Sequence, residues 1–273
     1  MGLRVNTNIA SITAQRNLAA VTGRLQGNYA RLSSGLRIAT AADDAAGLGI
    51  SERKRSQIRS YEVAGRNAQD GISLTQTAEG ALQETSNNLT RMRELAIQAA
   101  NGTLTTTDRA TIDAEFQALI AEIDRVSGEA NFNGLSLLDG STASIDLQVG
   151  IEAGDTITIN LPDATAATLG IAGLDVTDVT NASTALAALD TAINSVSTAR
   201  GELGAGQNRM NSVIASIANT RENLSAAESR IRDVDVAAET GDLTRNTIMQ
   251  QAAVSVLAQA NVQPQLALNL LGG

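Results

Sequence analysis

The sequence has no cysteine, no histidine and no tryptophan, and it holds only two prolines, two phenylalanines and two tyrosines. Without Cys and His, the chain lacks thiol nucleophiles, imidazole general bases and the commonest zinc ligands together. Its redox compartment is likewise not written in disulfides. A compact enzyme of 273 residues would build part of its core on aromatic rings, and here there are almost none. With Pro only at 162 and 264, long helices meet few breakers. No apolar run is long enough to span a bilayer. The opening MGLRVNTNIAS lacks the charged start, apolar core and cleavage site of a Sec-type signal, and Asn6 makes Gly2 a poor acylation site. The basic stretches carry few aromatics for stacking, which argues against nucleic acid as a partner.

What is present is Ala, Leu, Ile and Val, the composition of long helices packed side by side. The net charge of −9 is uneven. Residues 1–66 hold ten basic and four acidic side chains, whereas residues 129–199 hold nine acidic ones and no Lys or Arg. Such a separation can guide copies of a chain into register, or can simply solvate two faces.

The stretch from Leu186 to Val234 organises the rest. Leu189, Val196, Leu203, Met210, Ile217, Leu224 and Ile231 recur every seventh residue, and all are apolar. A second row (Leu186, Ile193, Arg200, Gln207, Ile214, Arg221, Glu228) is only partly so. An apolar row with a period of seven forms a seam along one helix face and requires partner helices. At about 1.5 Å per residue, this helix is roughly 70 Å long and cannot cover its seam alone.

Three helices precede it, and those at 48–100 and 105–128 can bundle with it and cover the seam. Residues 4–33 carry Leu18, Val21, Leu25, Tyr29 and Leu32 at spacings of three and four. The small, polar segment SSGLRIATAADDAAG (33–47) reads as a connector. A helix from about 48 to 100 presents Leu82, Leu89, Met92 and Ala96 late in its course. Its early part uses Ala64, Ala68, Gly71 and Ala78, which either permit close approach or mark a weakly specified stretch. Asn101-Gly102 is a stop signal. A Thr cap then opens a third helix with Ile112, Phe116, Leu119, Ile120 and Ile123, ending near Ser127-Gly128. The period next changes to two: Ile145, Leu147, Val149 and then Ile157, Ile159, Leu161, joined by Gly150–Asp155, predict a β-hairpin near 140–161. Residues 162–182 form a short tip of no assignable structure. Gly201, Gly204 and Gly206 interrupt the long helix, at about 1 kcal/mol each relative to Ala, and predict local flexing. A last helix from about 235 to 270 carries Ile248, Leu257, Leu266 and Leu270, with Pro264 placed to kink it.

The expected fold is therefore mainly α, a long antiparallel helical rod with a small central β-hairpin. It comprises terminal helices (1–33 with 235–273), a connector (34–47) and a rod domain (48–234). Leu82, Leu89 and Phe116 would pack on the heptad row of the rod. The terminal stripes have little left to bury them and point to association.

No catalytic constellation stands out. Asp43-Asp44 and the Asp233/Asp235 pair read as helix caps. The glycines at 201–206 follow no strand and precede no Lys, so they are not a phosphate loop. Cofactors and metals are not expected, and assembly is the stronger reading.

Several ordered motifs carry a resemblance. LRVNTNIASITAQRNL at the start, RLSSGLRIATAADDAAGLGIS (31–51), NAQDGISLTQTAEGALQE (67–84), RMRELAIQAANGT (91–103), NFNGLSLLDG (131–140), ESRIRDVDVAAE (228–239) and MQQAAVSVLAQANVQPQLALNLL (249–271) resemble the bacterial flagellins. The resemblance implies a subunit that self-polymerises into the extracellular flagellar filament, its terminal helices lining an inner tube. It also implies export through the flagellar type III apparatus with a chaperone on the C-terminal segment, and contact with the filament cap and hook–filament junction proteins. Only about 20 residues stand where relatives carry outer domains, so it looks like a minimal flagellin. Arg91, Leu95 and Glu115 match positions through which many flagellins are bound by Toll-like receptor 5. A hook–filament junction protein of related architecture is the alternative. A membrane-inserting translocator is disfavoured by the acidic, polar 140–182 segment.

Overall fold

The structure is a computed structural model that describes residues 7–271, with side chains up to residue 262. Five helices and four short strands follow in order: α1 (Ile9–Ser34), α2 (Ala45–Ala99), α3 (Thr106–Glu129), β1 (Asn131–Phe132), β2 (Leu135–Ser136), β3 (Ser144–Gln148), β4 (Thr156–Asn160), α4 (Val179–Arg232) and α5 (Val236–Leu271). The mainly-α class with a β3–β4 hairpin is as expected. The chain divides into two compact units, Gln57–Glu222 and Met1–Ser56 with Asn223–Gly273. Both boundaries fall inside α2 and α4, rather than at the expected 48 and 234.

In the Gln57–Glu222 unit, the α4 row Leu189, Val196, Leu203, Met210 and Ile217 is buried. All but Ile217 join one core cluster with Leu82, Leu89 and Met92 of α2 and Phe116 and Ile123 of α3. Burial of each large apolar side chain stabilises the unit by about 1.5–3 kcal/mol. Leu224 and Ile231 depart from the expected core row: they lie in the other unit and are only half-buried. The α2 residues beside that end of α4 are SERKRS (51–56), which offer hydrogen bonds rather than apolar cover; Arg232 reaches Glu52 at 2.7 Å there.

The small residues of early α2 serve close approach. Ala64, Ala68 and Ala78 are buried, and a Cβ at Gly71 would lie 2.2 Å from Leu147 Cδ1 and 2.7 Å from Met210 Sδ. The expected interruption of α4 does not occur. The helix runs unbroken through Gly201, Gly204 and Gly206, because side-chain packing on both flanks outweighs the propensity cost. Gly206 is needed for contact, since a Cβ there would sit 3.0 Å from Ile159 Cδ1.

The β3–β4 hairpin pairs Ile145 with Ile159 and Leu147 with Ile157, and turns Ile157, Ile159 and Leu161 into the core. A second hairpin, β1–β2, was not anticipated. It turns on Asn133 and Gly134, both at positive φ (51° and 80°), the two-residue Asn-Gly turn that suits strand twist. Residues 162–182 are not a loose tip. Ala164, Ala166, Ile171 and Val176 are buried, and α3 holds the irregular chain through Asp124 Oδ1, which accepts from Ala166 N, and Asp113 Oδ1, which accepts from Val176 N. α4 then begins at Val179, earlier than its heptad pattern shows. At α3, Thr105 and Asp108 form a reciprocal capping box, and these hydrogen bonds hold the Asp108 carboxyl below its ordinary range.

In the other unit, α1 ends at Gly35, whose φ of 71° closes the helix with a bond to Arg31 O. The connector is tied down. Ile38 is buried, Arg37 N donates to Arg232 O, and Val234 N donates to Gly35 O. Two aspartates act as caps, Asp44 Oδ1 accepting from Gly47 N at the start of α2 and Asp235 Oδ1 from Ala237 and Ala238 N at the start of α5; Asp43 departs from the expected cap, its Oδ2 accepting instead from Thr40 and Ala39 within the connector. The Thr40 amide, with its hydroxyl and the Ala39 amide, depresses the Asp43 carboxyl.

Candidate assembly surface

α1 and α5 lie antiparallel, which the cross-helix bonds fix directly. Asn8 Nδ2 donates to Ala260 O at 2.7 Å, Ser11 Oγ donates to Asn261 Oδ1 at 2.7 Å, and Arg31 Nη1 reaches Glu239 Oε2 at 3.5 Å. Between these ends the buried residues on α1 are Ser11, Ala14, Val21, Leu25 and Asn28. On α5 they are Glu239, Asn246 and Ala260 among the described side chains. Asn28 Nδ2 donates to Glu239 Oε1, and Asn246 Nδ2 donates to Asn28 Oδ1 at 2.8 Å.

This pairing corrects the expectation that both terminal stripes lack cover, because each helix covers part of the other. Val21 and Leu25 are buried, Leu18, Leu32 and Leu257 are half-buried, and Tyr29 and Ile248 point outward instead of joining the stripe. The side chains of Leu266 and Leu270 lie outside those described. What stays exposed is a different set: Ile9 (64 %) and Ile12 on α1, and Val236, Ile248 (61 %), Val254, Val256 (59 %) and Val262 on α5. At 100° per residue, the α5 set falls on every side of the helix that α1 does not cover. Apolar residues exposed on several sides of a helix, beside polar ones such as Asp242, Arg245 and Gln251, mark a surface for partners beyond one paired helix.

The polar groups were the part that sequence reasoning missed. Their signal is present: Ala14, Val21 and Asn28 form one row of sevens, as do Glu239, Asn246, Ala253 and Ala260. Polar residues within such a row belong to a seam as fully as apolar ones.

The sequence motif around 91–115 makes a second surface in the Gln57–Glu222 unit. Arg91 Nε donates to Glu115 Oε1 and Arg91 Nη1 to Glu94 Oε2, both at 2.9 Å, and these bonds, Glu94 first, hold the guanidinium more firmly protonated. Arg93 pairs with Asp190 at 2.7 Å. Leu95 departs from the expected receptor trio: it is 2 % exposed and packs in the core, because α2 turns that side toward α3 and α4. Among the described residues no cluster of three acidic side chains could hold a metal, and no helix is long and apolar enough to cross a membrane.

The family description "bacterial flagellin N-terminal helical region" matches residues 5–143, and "bacterial flagellin C-terminal helical region" matches residues 186–271. A flagellin of Halalkalibacterium halodurans is 48% identical over 98% of this chain and 99% of its own length. One of Bacillus subtilis is 46% identical over 98% and 100%. A Bacillus cereus flagellin crystal structure superposes with a TM-score of 0.52 at 38% identity, covering 60% of this chain and 94% of that one. A putative flagellar hook-associated protein of Vibrio parahaemolyticus (TM-score 0.56, covering 70% and 98%) shares the fold at 19% identity. With both helical regions matched and relatives alike from end to end, this chain belongs to the bacterial flagellin family.

Proposed function

We infer that the chain is a structural subunit of the bacterial flagellar filament, built by self-polymerisation. The observation that carries the reading is α5: Val236, Ile248, Val254, Val256 and Val262 stand exposed on sides that α1 leaves free. Within a flagellin, neighbouring copies are the natural cover. The role is mechanical rather than catalytic, and its site is extracellular, where the filament turns as a propeller. The partners that follow are the type III export apparatus and its chaperone, the filament cap and the junction proteins at the hook. The expected division into terminal helices, connector and rod becomes a division of labour, the terminal helices forming the inner tube and the rod packing around it. A junction protein shares the fold, but the full-length relatives at 46% and 48% identity are flagellins.

The test is negative-stain microscopy of purified protein seeded with short filament fragments or given a precipitating salt. Long uniform tubes are expected. Only short or absent assemblies from a helical monomer would overturn the reading in favour of the junction protein. Recognition by Toll-like receptor 5 rests on Arg91 and Glu115, which are exposed and mutually paired. Arg91→Ala is expected to abolish receptor signalling while polymerisation proceeds; unchanged signalling would sink that role.

A further inference from the structure

We propose that Asn28, Glu239 and Asn246 select the register in which α1 and α5 pair, choosing one alignment among several that the apolar residues alone would accept. The seam is written in sevens on both helices. α1 contributes Ser11, Leu18, Leu25, Leu32 beside Ala14, Val21, Asn28, and α5 contributes Glu239, Asn246, Ala253, Ala260 beside Leu243, Gln250, Leu257; all are buried or half-buried. A slide of one heptad, about 10 Å along the axis, returns every position to the same face. Across most of the seam it would merely exchange Leu, Val and Ala for one another. Apolar packing therefore discriminates poorly between alignments.

The three polar residues discriminate well. In the observed alignment Asn28 gives its amide hydrogen to Glu239 and its amide oxygen to Asn246, and all three residues are less than 9 % exposed. Sliding one way sets Asn246 against Val21. Sliding the other way sets Asn28 against Ala253 and carries Glu239 past Gly35, beyond the end of α1. Either slip leaves at least one bond of the trio unmade: the first strands Asn246, and in the second Asn28 keeps Asn246 but loses its other partner to Ala253, so a buried polar atom bears its desolvation cost. The bonds from Asn8 and Ser11 discriminate less: Asn8 donates to a backbone carbonyl, Ala260 O, which every register offers, and Asn261, the partner of Ser11, is exposed to water. Apolar residues at the three sites would hold two helices together at least as well. What they would lose is the choice of alignment, the use to which a buried Asn is put in paired helices.

The chain has no cysteine, so engineered pairs report alone. In tubes grown from the full-length protein, Ser11→Cys with Asn261→Cys reads the observed register, as their parent side chains are 2.7 Å apart. Ser11→Cys with Val254→Cys and Leu18→Cys with Asn261→Cys read the two one-heptad slips. With the polar trio intact, the first pair is expected to oxidise about tenfold more than either slipped pair. In the variant Asn28→Val, Glu239→Leu, Asn246→Leu, that preference should fall to within about twofold at unchanged helix content. Glu239→Gln keeps an oxygen for Asn28 and should keep the preference. The proposal is overturned if the apolar variant retains the parent preference, or if the parent shows none. It is also overturned if the apolar variant loses all three disulfides with its helical signal, which would make the trio a clamp. Loss of preference in Glu239→Gln would assign the selection to the Arg31 ion pair instead. The measurement rests on the proposed assembly and stays distinct from it: a parent that forms no tubes overturns the filament reading, whereas tubes without a register preference overturn only the register proposal.

Discussion

The α4 seam from Leu189 to Ile217 and the seam between α1 and α5 share one period and differ in content. The first is apolar at every step and is closed by α2 and α3 of the same chain. The second mixes Val and Leu with Asn and Glu, and leaves apolar residues on the far sides of its helices. A period of seven thus states only that a helix has a partner. The side chains between and behind the row state whether that partner lies within the chain or outside it. The closed seam secures a unit that stands alone, and the open one secures an alignment and leaves surface to be used.

The largest test of this contrast is removal of a terminal helix. Deleting residues 1–33 or 240–273 is expected to abolish polymerisation entirely while the Gln57–Glu222 unit keeps a cooperative thermal transition. Sedimentation and circular dichroism would read both; filaments from either truncation would end the inner-tube assignment. Next come single side chains on the two seams. Phe116→Ala, at a fully buried site, should destabilise by about 3–5 kcal/mol in urea titration. Val256→Ala, at an exposed one, should cost the soluble chain under about 0.5 kcal/mol yet raise the critical concentration for assembly. Equal effects of the two in both assays would erase the distinction.

Glycines sharpen the comparison at smaller scale. Gly71→Ala must displace Leu147 and Met210 and should cost about 1–3 kcal/mol. Gly201→Ala meets nothing within 4 Å and should stabilise α4 by about 0.5–1 kcal/mol. The smallest effect concerns acid. The folded-state pKa of Asp108 is depressed, so its contribution is fully present above the unfolded value of about 3.9 and is lost as pH falls through the folded one. Thr105→Ala should lower the thermal midpoint at neutral pH and flatten its fall below about pH 4. An unaltered acid slope would mean the box contributes nothing there.

Much of this was legible from residues alone, and the exceptions have physical causes. Periods of seven and two located α4 and the β3–β4 hairpin because burial repeats with the backbone. Thr105, Asp44 and Asp235 announced helix starts because a short side-chain oxygen satisfies orphan amides. The β1–β2 hairpin escaped notice although Asn133-Gly134 is a strong turn signal, since strands of two residues have no measurable period. Residues 162–178 were unreadable because Ala164, Ala166 and Val176 are buried by α3 hydrogen bonds to the chain, not by periodicity. The α1–α5 polar seam was hidden by a search confined to apolar positions. Leu95 matches the receptor motif yet is buried in the core, because motif matching says which residues correspond, not which way a side chain points.

The uncovered sides of α5 also change what stability means for this protein. A unit whose apolar surface is completed only by other copies has no fixed free energy of unfolding of its own. By mass action its population of folded helix rises with subunit concentration, as for any structure that binds its own kind. The Gln57–Glu222 unit melts as a property of the molecule, whereas the terminal unit melts as a property of the solution. A dilution series followed at one temperature separates the two without any substitution.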